Sequence, residues 1–314
     1  MDNLYKSSNV YEMLSRDIKE NMLNHGYMLI SNDNEYVKAL ANQMAMQVLC
    51  DKHMPCYECN QCVKVGKNEH ADVVVLPNSK KNIVVDDIEK IVSESYILPL
   101  EGEKKIYILN NFDLTTIQAQ NKLLKTLEEP PKSVIFILTT TNENNVLATI
   151  KSRCKKIVVP QISEDKLKNY LLKTHSDNQN IDKVVALADG NLTTAERFLT
   201  SEKMIQIKDI CVELVNRFDK SDRVLHYSSL IQEYEDNIDD FMSVLLDTFK
   251  EVGEAIISGD ETRFNIRKYS LKMIVEISKV IQLSVMKLKA NCNLNAVLDY
   301  LLLGILEVRF KCQK

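Results

Sequence analysis

The sequence predicts an α/β domain built on a parallel sheet, carrying a cysteine-rich insert and followed by all-helical segments. Three observations lead there. Over residues 1–160, apolar strand-like runs alternate with helical patterns, which is how a parallel sheet flanked by helices reads. Four cysteines fall between residues 50 and 62. After Pro160 the strand-like runs stop, and the remainder has helical periodicity.

The predicted strands are Tyr27–Ser31, Val73–Leu76, Ile106–Leu109, Val134–Thr139 and Lys156–Val159. Helical spacing covers Tyr36–Leu49 and Leu114–Glu128. In the second helix, Leu114, Ile117, Leu123, Leu124 and Leu127 share a face, with Lys122 and Lys125 turned away. Asp113 is the expected N-cap there, and Pro130 with Pro131 ends the helix. Beyond Pro160, short helices are expected at Ser163–Leu172, with Ser163 as cap, at Val184–Ala188 and at Thr194–Leu199. Long periodic runs follow at 204–217, 237–257, 264–288 and 294–310. Gly259 with Asp260 marks one break, and Asn291 to Asn295 another.

A chain of 314 residues has room for two or three domains, each with its own core. Hydrophobic residues at 45% and charged residues at 27% are ordinary for a globular protein. The net charge of -4 argues against bulk electrostatic affinity for nucleic acid, though a local basic patch stays open. The first twenty residues lack the apolar core of a signal peptide. No stretch approaches the roughly 18 consecutive apolar residues of a membrane span. A cytoplasmic protein with no membrane partner is the expectation.

Cys50, Cys56, Cys59 and Cys62 are spaced C-x5-C-x2-C-x2-C, while Cys154, Cys211, Cys292 and Cys312 are scattered. Tight C-x-x-C turns supply pairs of thiolates at the spacing a tetrahedral zinc needs. In a cytosolic chain such a cluster favours a metal over a disulfide framework, free or redox-active thiols being the alternative. Four protein ligands close the site, so zinc here is structural rather than catalytic. His53 and His70 lie nearby and are expected to be exposed.

A nucleotide-holding strand of the P-loop type runs into G-x-x-x-x-G-K-[ST], whose amides and lysine cradle phosphate. The corresponding place, after Leu29 and Ile30, reads SNDNEYVKAL, and no glycine lies between Gly26 and Gly66. Asp33 and Glu35 set negative charge where phosphate would sit, and Lys38 alone reads as a solvated helix lysine. Asn110 and Asn111 follow Ile106–Leu109, where a magnesium-dependent ATPase wants carboxylates. Both losses predict a chain that binds no ATP.

The run NKLLKTLEEPP at 121–131, the strand VIFILTT at 134–140, the triplet Ser152, Arg153, Cys154 and the four-cysteine insert together resemble the clamp-loader branch of the AAA+ family. Specific motifs carry the resemblance over residues 1 to about 200, and NLNAVLDYLLL at 293–303 is similar to the family's final collar helix. The resemblance implies an AAA+ (RecA-like) core over 1–160 with its zinc module at 50–62, a helical lid over 161–203 and a helical collar for oligomerisation over 204–314. It also implies a non-ATP-binding subunit of the bacterial DNA polymerase III holoenzyme that helps load the sliding clamp onto primed DNA. The implied partners are gamma/tau-type ATPase subunits and a delta-type subunit in a ring, with clamp and DNA reached through the complex. Arg153 matches the arginine that such subunits insert into a neighbour's ATP site, and Ser152 and Cys154 shape its loop. Thr139, Thr140, Thr141 and Asn142 fall where the family senses the γ-phosphate; without nucleotide they cap the strand. DGNLTTAERFL at 189–199 resembles the family's second sensor, with Thr193 and Thr194 where an arginine is usual and Arg197 a turn later.

Two other readings stay open on sequence. One is a clamp-loader-type ATPase whose unusual phosphate loop does bind ATP. The other is a zinc-bearing nucleic-acid-binding protein, disfavoured by the acidic charge and the few aromatics near the cysteines.

Overall fold

The apolar runs of the first half pair as one parallel sheet. A computed structural model describes residues 1–77, 82–175 and 180–312. Its strands are β1 (Gly26–Ile30), β2 (Val73–Leu76), β3 (Lys105–Leu109), β4 (Val134–Thr140) and β5 (Lys155–Val158). They lie side by side in the order β2-β3-β4-β1-β5, all parallel. The three central strands are buried almost throughout, with Met28 opposite Leu138 and Tyr107 opposite Phe136, whose rings stack at 5.4 Å. Helices on both faces exclude water from such strands, so they read as continuous apolar runs rather than alternating ones. Edge strand β5 is different: Val158 is 66% exposed and Lys155 reaches the buried Asp17 at 2.6 Å.

Around the sheet stand α1 (Asp2–Lys6), α2 (Asn9–Lys19), α3 (Asn34–Leu49), α4 (Asn60–Gly66), α5 (Val85–Ser95), α6 (Ile117–Glu128) and α7 (Ala148–Lys151). After β5 come α8 (Glu164–Thr174), α9 (Ile181–Ala188) and α10 (Leu192–Thr200). The rest is α11 (Glu202–Arg217), α12 (Val224–Gln232), α13 (Ile238–Ser258), α14 (Leu271–Lys289) and α15 (Leu294–Cys312). The chain divides into two compact units, residues 1–196 and 197–314.

In the first unit, α3 buries Val37, Leu40, Ala41, Met44 and Ala45, and α6 turns Ala119, Leu123 and Leu127 into the core. The second unit is all helix among its described residues, packed on Phe218, Tyr227, Phe241, Leu245, Phe249, Ile277 and Leu301. Gly304 of α15 allows close approach to α14, where an added Cβ would stand 2.7 Å from Val280. Buried Lys208 pairs with Glu251 at 2.6 Å, and Glu251 also meets Arg263 at 3.2 Å. Among the described residues no helix is long and apolar enough to cross a membrane.

The expected α/β fold class, with a parallel sheet followed by helices, is what the structure has. Several local expectations are corrected. α6 begins at Ile117, three residues later than expected, and its N-cap is Thr116, whose hydroxyl accepts from Ala119 N at 3.3 Å. Asp113 sits in a 3-10 turn instead, accepting from Thr141 Oγ1 at 3.2 Å. Leu114 and Ile117 are 52% and 64% exposed, so they leave the apolar face assigned to them. Ser163 does precede α8, but its side chain accepts no capping bond. The long run from 264 starts its helix only at Leu271, after a 3-10 turn at Ile266–Lys268.

Candidate metal centre and arginine loop

The four clustered cysteines come together. Cys50 caps the C-terminus of α3, Cys59 caps the N-terminus of α4, Cys62 lies in α4 and Cys56 in the loop between. Their sulfurs all lie within 4.8 Å of one another, with Cys56–Cys62 at 3.8 Å and Cys50–Cys59 at 3.9 Å. Four sulfurs each about 2.3 Å from a tetrahedral metal stand about 3.8 Å apart, whereas a disulfide requires about 2.05 Å. The donor set and its spacing therefore fit a tetrahedral metal ion.

Local backbone geometry builds this cluster. Tyr57 takes a left-handed φ of 61°, and its hydroxyl donates to Gln43 Oε1 at 2.5 Å, tying the loop to α3. Cys56 Sγ accepts from Cys59 N at 3.3 Å, and Cys59 Sγ from Cys62 N at 3.4 Å. Backbone donors at Cys59 and Glu58 pull the Cys56 thiol down to about 6, whereas burial raises Cys59 and pushes Cys62 up to about 12. A divalent cation offsets that burial cost, since a coordinated thiol is deprotonated outright.

The module also braces what surrounds it. From α4, Gln61 Nε2 donates to Glu101 O at 3.1 Å and Lys64 pairs with Glu101 at 2.6 Å. Buried Asp72 accepts from the backbone amides of Leu100, Glu101 and Gly102 at 2.7, 2.6 and 3.0 Å. Burial pushes its carboxyl up, but the three N–H donors outweigh this and hold it below the usual range. His53 is exposed as expected; His70 is not, being 4% exposed, with Nδ1 accepting from Asp72 N and Nε2 against Gln61.

At the C-terminal ends of β1, β3 and β4, polar groups partner one another. Asp33 is 1% exposed and caps α3 through Tyr36 N. Its carboxylate also accepts from Leu192 N, Thr193 N and Thr193 Oγ1 at the start of α10. Asn110 accepts from Thr139 Oγ1 at 3.2 Å, and that oxygen accepts from Asn111 N. Thr140 Oγ1 accepts from Asn142 N at 3.1 Å, a strand-end cap. Thr194 N donates to Asn191 Oδ1 at 2.8 Å, and Arg197 lies 3.6 Å from Asp240.

Arg153 lies at the opposite edge of the sheet. It precedes β5, and its carbonyl would be 3.4 Å from a Cβ on Gly26, the first residue of β1. Because β1 and β5 are parallel, this is the edge where strands begin, whereas Asp33 follows the end of β1. Five residues of strand put about 16 Å between those edges. The guanidinium donates to Thr149 O at 2.8 Å and pairs with Glu128 at 2.7 Å, both side chains being partly exposed. Ser152 donates to Thr149 O, closing the turn. The Sγ of buried Cys154 fills the space beside Gly26, where an added Cβ would meet it at 3.0 Å, and burial pushes the thiol up to about 12, so it serves as a packing group. Sequence reasoning assigned no role to Glu128, although its place in the LEEPP run was the available signal.

Residues 6–163 match the family described as "DNA polymerase III, delta subunit". The chain is 29% identical to DNA polymerase III subunit delta' of Pseudomonas aeruginosa, over 55% of each chain. It is 29% identical to the delta' subunit of Bacillus subtilis over 50% of each, and 31% identical to the gamma/tau subunit of Mycoplasma pneumoniae over 55% of this chain and 26% of that one. The chain thus spans between about a quarter and about half the length of these relatives. A gamma subunit-related protein of Thermotoga maritima aligns over 96% of this chain and 100% of its own, with 20% identity and a TM-score of 0.49. Within the clamp-loader branch the sequence motifs resemble the delta-prime type, and the relatives include both that type and gamma/tau. With half of its length matched by the family model, the chain belongs to the DNA polymerase III delta-subunit family of clamp-loader proteins.

Proposed function

We propose that this chain is a clamp-loader subunit of a bacterial DNA polymerase III that binds no ATP itself and completes the ATP site of a neighbouring subunit with Arg153. The placement of Arg153 carries this reading. A guanidinium at the edge where the strands begin is about a strand length from the chain's own would-be phosphate turn. Only a nucleotide held by another chain is within its reach. Placed beside a γ-phosphate, it would stabilise the charge that develops as the bond to the leaving group loosens. Glu128 and Thr149 O hold it at the surface in the free chain.

The remaining parts fit this division of labour. The four cysteines hold a structural zinc that braces α4 and the 100–102 loop. Residues 161–203 form the lid and 204–314 the collar through which the ring assembles. Exposed Val275, Leu283, Met286, Leu303 and Phe310 on α14 and α15 supply apolar surface for that assembly. Gamma/tau-type ATPase subunits and a delta-type subunit are the ring partners, and the sliding clamp and primed DNA are met through the complex. ATP titration of the purified chain, followed by a fluorescent analogue or filter retention, tests the core of the reading. No saturable binding at millimolar ATP is expected, and micromolar affinity would overturn it in favour of an active ATPase.

A further inference from the structure

Two sequence departures that look unrelated, Asp33 after β1 and Thr193 near the second sensor run, are one hydrogen-bonded unit. The Asp33 carboxylate is 1% exposed and stands where two helices begin. Oδ1 accepts from Tyr36 N of α3 at 3.2 Å, from Thr193 N of α10 at 3.3 Å and from Thr193 Oγ1 at 2.6 Å, while Oδ2 accepts from Leu192 N. Thr193 Oγ1 in turn accepts from Glu35 N at 3.0 Å, so the hydroxyl is used in both directions. Amides of two helix N-termini converging on one negative group is the arrangement by which proteins hold phosphate. Here the anion is part of the chain.

The turn that brings α10 to this point is built for close approach. Gly190 has a φ of +71°, and a Cβ there would lie 2.3 Å from Ile162 O. Ile162 N donates to Gly190 O at 3.1 Å, which fixes the start of α10 against the segment leaving β5. The surroundings are already acidic. Burial pushes the Glu196 carboxyl up, His175 draws it back, and the charges of Glu35 and Asp33 add to the rise. Lys38, the cation nearest in sequence, pairs with Glu35 at 3.1 Å.

We infer that Asp33 is the residue that determines this chain's indifference to nucleotide: its carboxylate occupies the anion position and latches the helical segment 161–196 to the sheet without any ligand. The absence of glycines would weaken a phosphate site; an internal carboxylate fills it. The inference rests on the proposal that the chain binds no ATP, yet the two fail separately. ATP binding by the wild-type chain would refute that proposal, and with it the exclusion of nucleotide by Asp33, and leave the latch of the ligand-free protein standing.

The test is amide hydrogen exchange on the full chain, comparing wild type with Asp33→Ala and Thr193→Val. The second variant keeps the Asp33–Tyr36 cap and the two backbone amides on Asp33, and removes only the Thr193 hydroxyl with its bonds to Asp33 and to Glu35 N. Both should speed exchange across α8 to α10 by about tenfold or more, leaving β1, β3 and β4 unchanged. Millimolar inorganic phosphate should return part of that protection to Asp33→Ala and leave the wild type as it was. Unchanged protection over α8 to α10 in Thr193→Val, or a loss spread equally over the sheet, overturns the latch. Phosphate without effect on Asp33→Ala overturns the anion position.

Discussion

Arg153→Ala separates a role in the fold from a role in a neighbour's chemistry, because the structure sets very different magnitudes for the two. In the free chain the guanidinium is 32% exposed and its partner Glu128 is 50% exposed. An ion pair that open to solvent contributes about 0.2–1 kcal/mol, and the bond to Thr149 O adds at most about 1 kcal/mol more. Together these bound the loss at about 2 kcal/mol, so the variant should melt no more than roughly 4–8 °C below wild type, since 1 kcal/mol moves a domain of about 200 residues by roughly 2–4 °C. The cost at a neighbour's ATP site is of another order. Arginine fingers contribute roughly 10³ to 10⁵ in rate, about 4–7 kcal/mol of transition-state stabilisation. A ring with several ATP sites would lose only the one facing this chain, so total turnover falls by that site's share. The assay is steady-state and single-turnover hydrolysis by the reconstituted complex, with size exclusion to verify that the variant assembles. An assembled complex hydrolysing at the wild-type rate in both regimes would refute the finger assignment.

Two further outcomes follow from the metal module and its brace. Cys59→Ser should lower bound zinc by about one equivalent per chain, measured by elemental analysis, and should loosen α4 and the 100–102 loop together because Gln61 and Lys64 link them; unchanged zinc stoichiometry would count against the site. For Asp72 the sign is set by its lowered folded-state pKa: its contribution is fully present above the unfolded value of about 3.9 and is lost as pH falls through the lower folded value. Urea melts from pH 5 downward should show the wild type losing stability over that window, and Asp72→Asn, weaker at neutral pH, should show a flatter profile. Parallel profiles for the two proteins would exclude Asp72 as the source.

What the sequence revealed, and what it hid, follows from how each element is stabilised. The strands were legible because β1, β3 and β4 are covered on both faces, and full burial writes itself as Ile-, Leu- and Val-rich runs. The cysteine cluster was legible because its ligands are local, within thirteen positions. α4 was not, since a short helix begun by a cysteine cap is indistinguishable in sequence from the loop it interrupts. α5 has three acidic residues among Val85, Ile88, Ile91 and Val92, and α2 lies in a terminus read only for targeting signals. The cap of α6 was misplaced because Asp113 and Thr116 are both capping residue types, and the choice depends on Thr141, a residue 28 positions away that takes up the Asp113 side chain. The Asp33–Thr193 contact joins residues 160 positions apart, and no local pattern carries that separation.

On the proposed function, the edge where β1, β3 and β4 end is a nucleotide site without its ligand, and such a site requires more than deleted contacts. A buried polar group left without a partner costs about 1–3 kcal/mol, and an unpaired buried charge costs more. A carboxylate at Asn110 would need a metal or a cation beside it; the neutral amide accepts the Thr139 hydroxyl instead. The Asp33 carboxylate, by contrast, has four donors facing it. Asp113 is the less complete case: Oδ2 meets Thr141, while Oδ1 and the neighbouring Thr115 hydroxyl are buried without a partner among the described residues. On this account Asn110→Asp alone would not restore a magnesium site. It would add a buried carboxylate at an edge where Asp113 Oδ1 already lacks a partner among the described residues, and would cost stability. Arg153, at the edge where the strands begin, needs no such repair, since its partners Glu128 and Thr149 are at the surface and water can replace either. On the proposed function, one edge is closed from within while the other serves a second chain, and that asymmetry is what a non-binding partner of an ATPase requires.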